Sequence, residues 1–470
     1  MNYVQAESFF YEGVACMDTD PALAQACFRR ALECAPDLMQ AHANLGLLLE
    51  AQGALEEAAV SYRRAIALNP DQPEPYVNLG GLLARGKQFA QAEQSYHQAL
   101  RLHPESPGVW SNLGALYAAL RLDAEAEGCY RHALALDPAH VKTRFNLACL
   151  LLRQGQLEEG WQALEARDWY GALAQRLPMP RWEGESLVGK SVLMGFEAGH
   201  GDMIHMVRYA AVLKARGAAR ITLLCHPALK RLFAALEALD QVLGFDEPLP
   251  VDSGHPGAQW DVWTPPFSIP FHCQTRLDSI PAQLPYLHAP APECAKWAQQ
   301  LPANGLRVGV VWRGSPQFEN DADRSLPSLD VLAPLGAVAG VCWVSLQKGA
   351  GEDEALCPPA NMPVLPLGAQ AHDFADMAAL VACLDLVISV DTAVAHLAGA
   401  LGKPVWLLLP DYMTDWRWLD DRADSPWYPG VMRLYRQSSA AGEVGGWAPV
   451  VDAVRDDLAR FAANPSCEPT

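Results

Sequence analysis

The sequence has no long apolar run. Nowhere in its 470 residues is there an uninterrupted apolar stretch of about eighteen residues, which a membrane-spanning helix needs. The first residues, MNYVQAESFF, lack the basic head and apolar core of a secretory signal. We therefore expect no integral membrane segment and a cytoplasmic location.

Paired cysteines and excess positive charge are also lacking. The twelve cysteines are scattered and form no C-x-x-C pair or zinc-like cluster with histidine, so we expect reduced thiols and no metal. The net charge of -19 opposes nucleic-acid binding, because phosphate backbones need a basic surface. A small anionic ligand is still compatible with this composition, since its site needs only local donors.

The first third of the chain is built from a 34-residue repeat. Prolines, Leu-Gly pairs, alanines and aromatic residues return at that interval, the aromatic set being Phe28, Tyr62, Tyr96 and Tyr130. The interval and residue order resemble the tetratricopeptide repeat (TPR), a pair of packed helices. Small residues let the helices cross closely, aromatic residues fill the gap to the next repeat, and proline ends the second helix. The pattern predicts a solenoid of about five repeats over 1–168, the last one degenerate.

Asparagines recur at the same step, each before the Leu of a predicted first helix. They are Asn44, Asn78, Asn112 and Asn146. An amide both donates and accepts hydrogen bonds, so a row of amides on the concave surface can bind the backbone of a partner peptide. Helix capping or hydrogen bonding between helices explains the same residues equally well.

After a proline-bearing linker at 169–190, strands and helices alternate, which is typical of parallel sheets. One series occupies 191–300 and a second occupies 301–445, followed by a C-terminal helix and tail over 446–470. The pattern predicts two Rossmann-like lobes, with ligands at the carboxyl ends of the strands. The predicted strands are 191–197, 221–225, 307–312, 341–346, 386–390 and 405–409.

The loop after the first of these strands carries two glycines and leads into a helix. Gly199 and Gly201 let a ligand approach the backbone, and the N–H groups at the helix start can bind an anion. Asp202 suits an N-cap, and the same carboxylate can act as a general base toward an attacking hydroxyl. Lesser catalytic candidates are Glu197, His200 and His205.

The segment Asp391–His396 again joins an apolar strand to a helix. Asp391 or Thr392 would cap that helix, Ala393 would begin it, and its N-terminus suits a diphosphate. His396 lies one turn into the helix and can donate to a phosphate or ribose oxygen. A histidine bonded to a neighbouring loop is the alternative interpretation.

Polar and basic residues follow two further strands. Gly314 and Ser315 lie in a loop that also contains Arg324, whose guanidinium can bridge two oxygens of a pyrophosphate. Gln347 and Lys348 follow the next strand, and the lysine supplies another cation. Solvated surface charges would give the same pattern.

Together these loops resemble glycosyltransferase family 9, the heptosyltransferase family. The resemblance covers roughly 180–437 and implies a GT-B fold, with the acceptor in the N-terminal lobe and the nucleotide-sugar in the C-terminal lobe. The TPR repeats add a resemblance to protein O-GlcNAc transferase and to bacterial flagellin glycosyltransferases, whose repeats hold the protein acceptor. The motifs are PRWEG at 180–184, E-x-G-x-GD at 197–202, VWRGSPQFENDADRS at 311–325, SLQKG at 345–349, DFADMAALVACLDLVISVDTAVAHLAGALGKPVW at 373–406, DWRWL at 415–419 and DSPWYP at 424–429.

This resemblance implies roles for individual residues. The base proposed for heptosyltransferases, the Asp of the first glycine loop, is matched by Asp202. Their Asp-Thr-Gly-x-x-His donor motif is matched by Asp391, Thr392 and His396, with Ala393 in place of the glycine. Arg324 falls near their donor-binding lysine. Such enzymes usually need neither metal nor cofactor, because helix N-termini and basic side chains neutralise the leaving diphosphate.

The sequence therefore predicts an α-helical TPR solenoid followed by an α/β GT-B domain. The predicted function is inverting, metal-independent transfer of a sugar from a nucleotide-sugar to a protein or glycan acceptor recruited by the repeats. The alternative is a non-catalytic TPR scaffold with a degenerate GT-B domain, and a third possibility is an enzyme of lipid-linked or lipopolysaccharide glycans at the inner membrane surface. The predicted donor-binding residues are Gly199, Gly201, Gly314, Ser315, Arg324, Gln347, Lys348, Asp391, Thr392, Ala393 and His396.

Overall fold

In the computed structural model the chain forms two compact units, Met1–Leu147 and Ala148–Thr470. The division falls inside the predicted fifth repeat, whose second helix therefore belongs to the second unit. The structure describes residues 2–249, 260–318, 320–420, 422–438 and 446–463. Part of the predicted proline-rich turns, Glu319 of the 311–325 motif and the end of the predicted tail lie outside the described residues.

The first unit is a row of helix pairs, which confirms the predicted TPR solenoid. Each repeat proline follows the second helix of a pair by two residues, as Pro36 follows Cys34, because proline cannot continue the helix. The helices are α1 Tyr3–Cys16, α2 Pro21–Cys34, α3 Met39–Ala51, α4 Leu55–Leu68, α5 Glu74–Arg85, α6 Phe89–Leu102, α7 Pro107–Ala119, α8 Asp123–Leu136 and α9 Val141–Arg153, which crosses the boundary between the units.

Each of the first four pairs is closed by an aromatic ring that packs on a glycine. A Cβ built on Gly46 would lie 2.5 Å from the ring of Tyr62, so a side chain there would displace the ring. The same contact joins Gly13 to Phe28, Gly80 to Tyr96 and Gly114 to Tyr130. The aromatic residue therefore closes the helix crossing inside its own repeat, whereas the sequence analysis assigned it to the gap between repeats.

The second unit contains two parallel sheets. The first has the strand order β3-β2-β1-β4 and the second has the order β10-β9-β8-β5-β6-β7, with every described pairing parallel. The strands are β1 Ser191–Met194, β2 Arg220–Cys225, β3 Gln241–Gly244, β4 Val262–Thr264, β5 Leu306–Val311, β6 Val341–Ser345, β7 Val364–Leu365, β8 Leu386–Val390, β9 Val405–Leu409 and β10 Met432–Arg436.

Helices of very different lengths connect these strands. The longest, α20, packs on the second sheet, where Val451 and Leu458 are buried in its core. The helices are α10 Leu157–Leu164, α11 Gly171–Ala174, α12 His200–Met206, α13 Tyr209–Ala215, α14 Pro227–Phe233, α15 Ile269–His272, α16 Ala291–Ala298, α17 Asp321–Arg324, α18 Phe374–Ala382, α19 Ala393–Ala400 and α20 Ala448–Ala463. No helix among the described residues is long and apolar enough to cross a membrane.

The central strands of the second sheet follow the prediction closely, while the edges do not. β8 and β9 are buried along their whole length, and such strands read as continuous apolar runs. The short strands β3, β4, β7 and β10 were not predicted, because all four lie at sheet edges and β3 and β4 flank turn-rich sequence. The single helix expected after the first glycine loop is in fact two helices, α12 and α13.

Candidate functional site

Two strand-to-helix turns, one from each sheet, meet inside the second unit. The turn after β1 leads into α12 and the turn after β8 leads into α19. A Cβ built on Gly201 would lie 3.0 Å from Cδ2 of His396 and 3.3 Å from Cα of Ala393. The two helix starts are therefore in direct contact, and a side chain at 201 would force its neighbours to shift. Ala393, which replaces a glycine of the family motif, is the residue against which Gly201 packs.

Asp202 lies at this contact and links its own turn to Arg417, which follows β9 of the second sheet. One carboxylate oxygen accepts the Gly199 N–H at 2.8 Å, and the other accepts a hydrogen bond from the Arg417 guanidinium. Asp202 is the third residue of α12, so the predicted N-cap role is wrong; its carboxylate bonds back to the N-cap Gly199. The side chain is 25% exposed, which leaves a carboxylate edge accessible to a ligand.

Arg417 is the partner that the sequence analysis did not single out. It follows β9, is buried, and donates to Asp415 at 2.8 Å as well as to Asp202. Burial acts to lower its pKa, but the carboxylates of Asp415, Asp202 and Asp391 outweigh that effect and raise the pKa of Arg417. The arginine of the DWRWL motif at 415–419 was the signal that could have found it.

The side chains of the second turn bind Trp418 and Ser389 and do not form the predicted caps. Asp391 accepts the indole N–H of Trp418 at 2.9 Å, and the Thr392 hydroxyl lies 3.0 Å from that of Ser389. Neither side chain caps α19, and the N–H groups of Ala393 and Val394 meet no acceptor among the described residues. Burial and the nearby Asp415 raise the pKa of Asp391 to about 6.

Two histidines fill the space between the turns. The rings of His205 and His396 have centroids 5.6 Å apart, and His396 Nδ1 lies 2.8 Å from the Tyr428 hydroxyl. Burial, followed by the positive charges of Arg417, Arg208 and Arg324, lowers the pKa of His396 well below its usual value. Burial and neighbouring arginines have the same effect on the pKa of His205. Both rings are therefore neutral near pH 7.

Arg324 lies in the loop after β5, and its charge contributes to the lowered pKa of His396. Gly314 packs under Arg324, since a Cβ built there would lie 2.8 Å from its Nη2, and the Gly314 N–H donates to Ser325. The guanidinium covers the ring of Phe318 at 4.1 Å, and Nε lies 3.3 Å from Asp321. Ser315 accepts the N–H of Gln317 at 3.4 Å and so shapes the loop.

Gln347 and Lys348 bind protein groups. The Gln347 oxygen accepts the N–H groups of Trp312 and Arg313, each at 3.1 Å, and its nitrogen donates to the carbonyls of Arg313 and Ala350. Gln347 thus holds the loop that carries Gly314. Lys348 donates to the carbonyl of Ala371 at 2.7 Å, just before α18.

Glu197 is buried behind the first turn rather than exposed to a ligand. It accepts two hydrogen bonds from Arg167, at 2.5 and 3.1 Å, and a third from the N–H of Phe267 at 3.2 Å. Both side chains of the pair are fully buried. Its oxygens are therefore committed to an internal ion pair with Arg167.

The predicted asparagine row lies on α3, α5, α7 and α9. Lys142 donates to Asn112 at 3.4 Å, while the amides of Asn44, Asn78 and Asn146 meet no hydrogen-bond partner among the described residues. Peptide binding by this row stays a prediction. In the described part of the chain no three His, Cys, Asp or Glu side chains converge as metal ligands would.

Models of two kinds of protein family match parts of this chain. Models of the tetratricopeptide repeat match residues 51–85, 79–141 and 129–162. The model of glycosyltransferase family 9 (heptosyltransferase) matches residues 369–408, which include α18, β8 and α19. The chain combines TPR repeats with a segment similar to glycosyltransferase family 9. That segment contains the Asp391–His396 turn.

One curated relative is similar over much of this chain. Protein FlbA of Caulobacter vibrioides is 27% identical over 340 residues, which cover 68% of this chain and 55% of that protein. The chain thus matches about half the length of this relative.

Three solved structures are similar to part of this chain. MamA from Desulfovibrio magneticus is 16% identical, with a TM-score of 0.32 over 38% of this chain and 99% of its own. YrrB, described as a TPR protein with an unusual peptide-binding site, is 17% identical, with a TM-score of 0.31 over 37% of this chain and 92% of its own. A TPR protein from Parabacteroides merdae is 22% identical, with a TM-score of 0.32 over 37% and 75%. At such scores these likenesses carry no structural argument.

Proposed function

We propose that the chain is a glycosyltransferase in which the second unit is a GT-B domain and transfers a sugar from a nucleotide-sugar to an acceptor hydroxyl. The observation that carries the proposal is the contact between the two turns, where Gly201 packs on His396 and Asp202 pairs with Arg417. In parallel α/β folds ligands bind at the carboxyl ends of strands, and here those ends come from two sheets. The family 9 match over 369–408 supports the same activity.

In this proposal Asp202 is the general base. It takes the proton from the acceptor hydroxyl, the hydroxyl oxygen forms a bond to the anomeric carbon, and the bond from that carbon to the diphosphate breaks. The nucleoside diphosphate leaves with the electron pair. A carboxylate has lone pairs beyond the two hydrogen bonds that Asp202 already accepts, so an acceptor hydroxyl can still bind there. A single displacement of this kind inverts the anomeric centre and is proposed without a metal.

The start of α19 is the proposed diphosphate site. The N–H groups of Ala393 and Val394 are uncapped, and a helix N-terminus attracts anions. The charges of Arg324 and Arg417 act on this turn, as the depressed pKa of His396 shows. Gln347 is proposed to position the loop that carries Gly314 and Ser315, and Lys348 to position the start of α18.

The second candidate function is a TPR scaffold without turnover. The specific observation in its favour is that Asp202 is already held by Arg417 and by the Gly199 N–H. A carboxylate fixed by two partners can serve as a structural link between the sheets. In that case the repeats alone would explain the protein, with the asparagine row binding a partner.

Calorimetric titration of the full chain with UDP, GDP, CDP, ADP and their sugar conjugates separates the two functions. Binding of one nucleotide series, with slow release of its nucleoside diphosphate from the conjugate, is expected for the enzyme. Asp202→Asn should leave the donor affinity within about twofold and lower this turnover at least a hundredfold. Nuclear magnetic resonance of the released or transferred sugar reads the anomeric configuration. No nucleotide binding at all would leave the scaffold.

A further inference from the structure

Five rings form a continuous aromatic cluster beside the site, which we call the aromatic wall. The wall consists of Phe196, His200, His226, Phe245 and Phe374. Phe196 stacks on Phe245 with centroids 4.9 Å apart, and His200 stacks on Phe374 at 5.1 Å. His226 joins the two pairs, with centroids 5.7 Å from Phe196 and 4.4 Å from His200.

The wall is built at the carboxyl ends of the first parallel sheet. His226 directly follows β2, Phe245 directly follows β3, and Phe196 lies in the turn after β1. His200 is the first residue of α12, two positions before Asp202. Phe374, the first residue of α18, adds a ring from the side of the second sheet. The wall thus leads from the edge of the first sheet to the proposed base.

The wall is partly exposed, and the basic side chains of the helix that follows His226 are paired with acids. Phe245 is 41% exposed, and the other four rings are half-buried. Burial and the neighbouring His226 lower the pKa of His200 to about 4, so its ring is neutral at pH 7. The two cations of α14 are paired with acids, Lys230 with Glu247 and Arg231 with a cluster of three. That cluster is Asp373, Asp376 and Glu293.

We propose that the aromatic wall binds an apolar side chain next to the acceptor serine or threonine of a protein substrate. This inference rests on the proposed function and names the acceptor class. Phosphorylated glycolipid cores bind through free cations, and both cations of α14 are already paired with acids. A glycan would stack on several open rings, whereas Phe245 alone of the five wall rings is exposed, and stacking covers one face of Phe196, Phe245, His200 and Phe374. Ring edges and the exposed Phe245 instead fit an aliphatic side chain.

Peptide binding to the full chain tests the wall. The probes are fluorescein-labelled undecapeptides of glycine and asparagine with a central serine, flanked on both sides by leucine, lysine or glutamate. Fluorescence anisotropy measures their affinity for the wild type and for Phe245→Ser. Phe245→Tyr keeps a ring in place, and Leu356→Ser is the matched control, because Leu356 is also an exposed apolar residue of the second unit.

The leucine-flanked peptide should bind at least tenfold more tightly than the two charged peptides, since burying one leucine contributes about that factor. Phe245→Ser should remove most of this preference, while Phe245→Tyr and Leu356→Ser should keep it. Equal affinity for all three peptides, or equal losses in Phe245→Ser and Leu356→Ser, would overturn the inference. Displacement of the leucine peptide by maltohexaose would also overturn it and favour a neutral glycan.

The nucleotide titration distinguishes failure of the aromatic-wall proposal from failure of the proposed sugar transfer. If nucleoside diphosphates bind but the peptides show no leucine preference, the wall is not the acceptor subsite and the proposed transfer stands. If the leucine preference depends on Phe245 but no nucleotide binds, the wall is a peptide site of a non-catalytic protein. In that second result the proposed function fails and the peptide-binding surface remains.

Discussion

The indole of Trp161 meets that of Trp416 edge to face, with ring centroids 5.2 Å apart. Trp161 lies on α10, the second helix of the degenerate fifth repeat, and its N–H donates to the carbonyl of Thr275 at 3.2 Å. Trp416 immediately precedes Arg417, which holds Asp202. Helix α10 of the fifth repeat therefore packs against the loop that carries Arg417, the partner of the proposed base Asp202.

Trp161→Ala should destabilise the second unit by about 3–5 kcal/mol, because it removes a large side chain that is only 1% exposed. It should also lower donor turnover, since the loop that carries Arg417 loses its support. Trp169→Ala is the control, because Trp169 is 53% exposed. Differential scanning calorimetry reads the unfolding of the unit. Similar unfolding temperatures for the two variants would contradict the supporting role of α10.

Arg417→Ala should destabilise the second unit by about 3–5 kcal/mol, because Asp202 and Asp415 would lose the buried charge that pairs with both. The matched control is Arg422→Ala, five residues further along the chain. Arg422 pairs with Asp424 at the surface, where an ion pair contributes about 0–1 kcal/mol. Urea unfolding measures both variants. Equal small losses would mean that Arg417 does not hold the two turns together.

Local patterns were enough to predict much of this molecule. The 34-residue period predicted the solenoid, since each repeat contains the same glycine and aromatic contact, as between Gly80 and Tyr96. The continuous apolar runs of β8 and β9 gave their bounds without error, because strands buried on both faces have no polar alternation. Short edge strands such as β7 carry too few residues for a pattern of their own.

The partners of the site residues could not be predicted in the same way. Arg417 lies 215 residues from Asp202, and no periodicity connects the two. Asp202 itself looked like an N-cap, because the sequence does not show that Gly199 starts the helix. Lys348 looked like a free cation, but carbonyls before α18 accept its hydrogen bonds. These are tertiary contacts, and the local sequence carries no record of them.

Gly201→Ala should weaken nucleotide binding and turnover at least tenfold. The added methyl would lie 3.0 Å from His396 and 3.3 Å from the backbone of Ala393, so α12 and α19 would have to move apart. Gly171→Ala is the control, because no atom lies within 4 Å of a Cβ at that position. That control should be neutral or slightly stabilising, since alanine favours a helix by about 0.5–1 kcal/mol. Unchanged nucleotide affinity in Gly201→Ala would show that the contact between the helices is not part of the donor site.

Asp391→Asn should stabilise the second unit at neutral pH. The pKa of Asp391 is raised from 3.8 to about 6 in the folded state, so the folded protein holds this proton more tightly than the unfolded chain. Its contribution to stability is therefore present below pH 3.8 and is lost as the pH rises to 6. Asparagine stays uncharged and removes this loss.

The advantage of Asp391→Asn over the wild type should thus grow from near zero at pH 4 to at most about 3 kcal/mol above pH 6. Urea unfolding at several pH values measures it. Asp424→Asn provides the contrast, because Arg422 lowers the pKa of Asp424 and its carboxylate stabilises the fold above pH 3.8. A constant difference between Asp391→Asn and the wild type from pH 4 to pH 7 would show that Asp391 is already charged across this range.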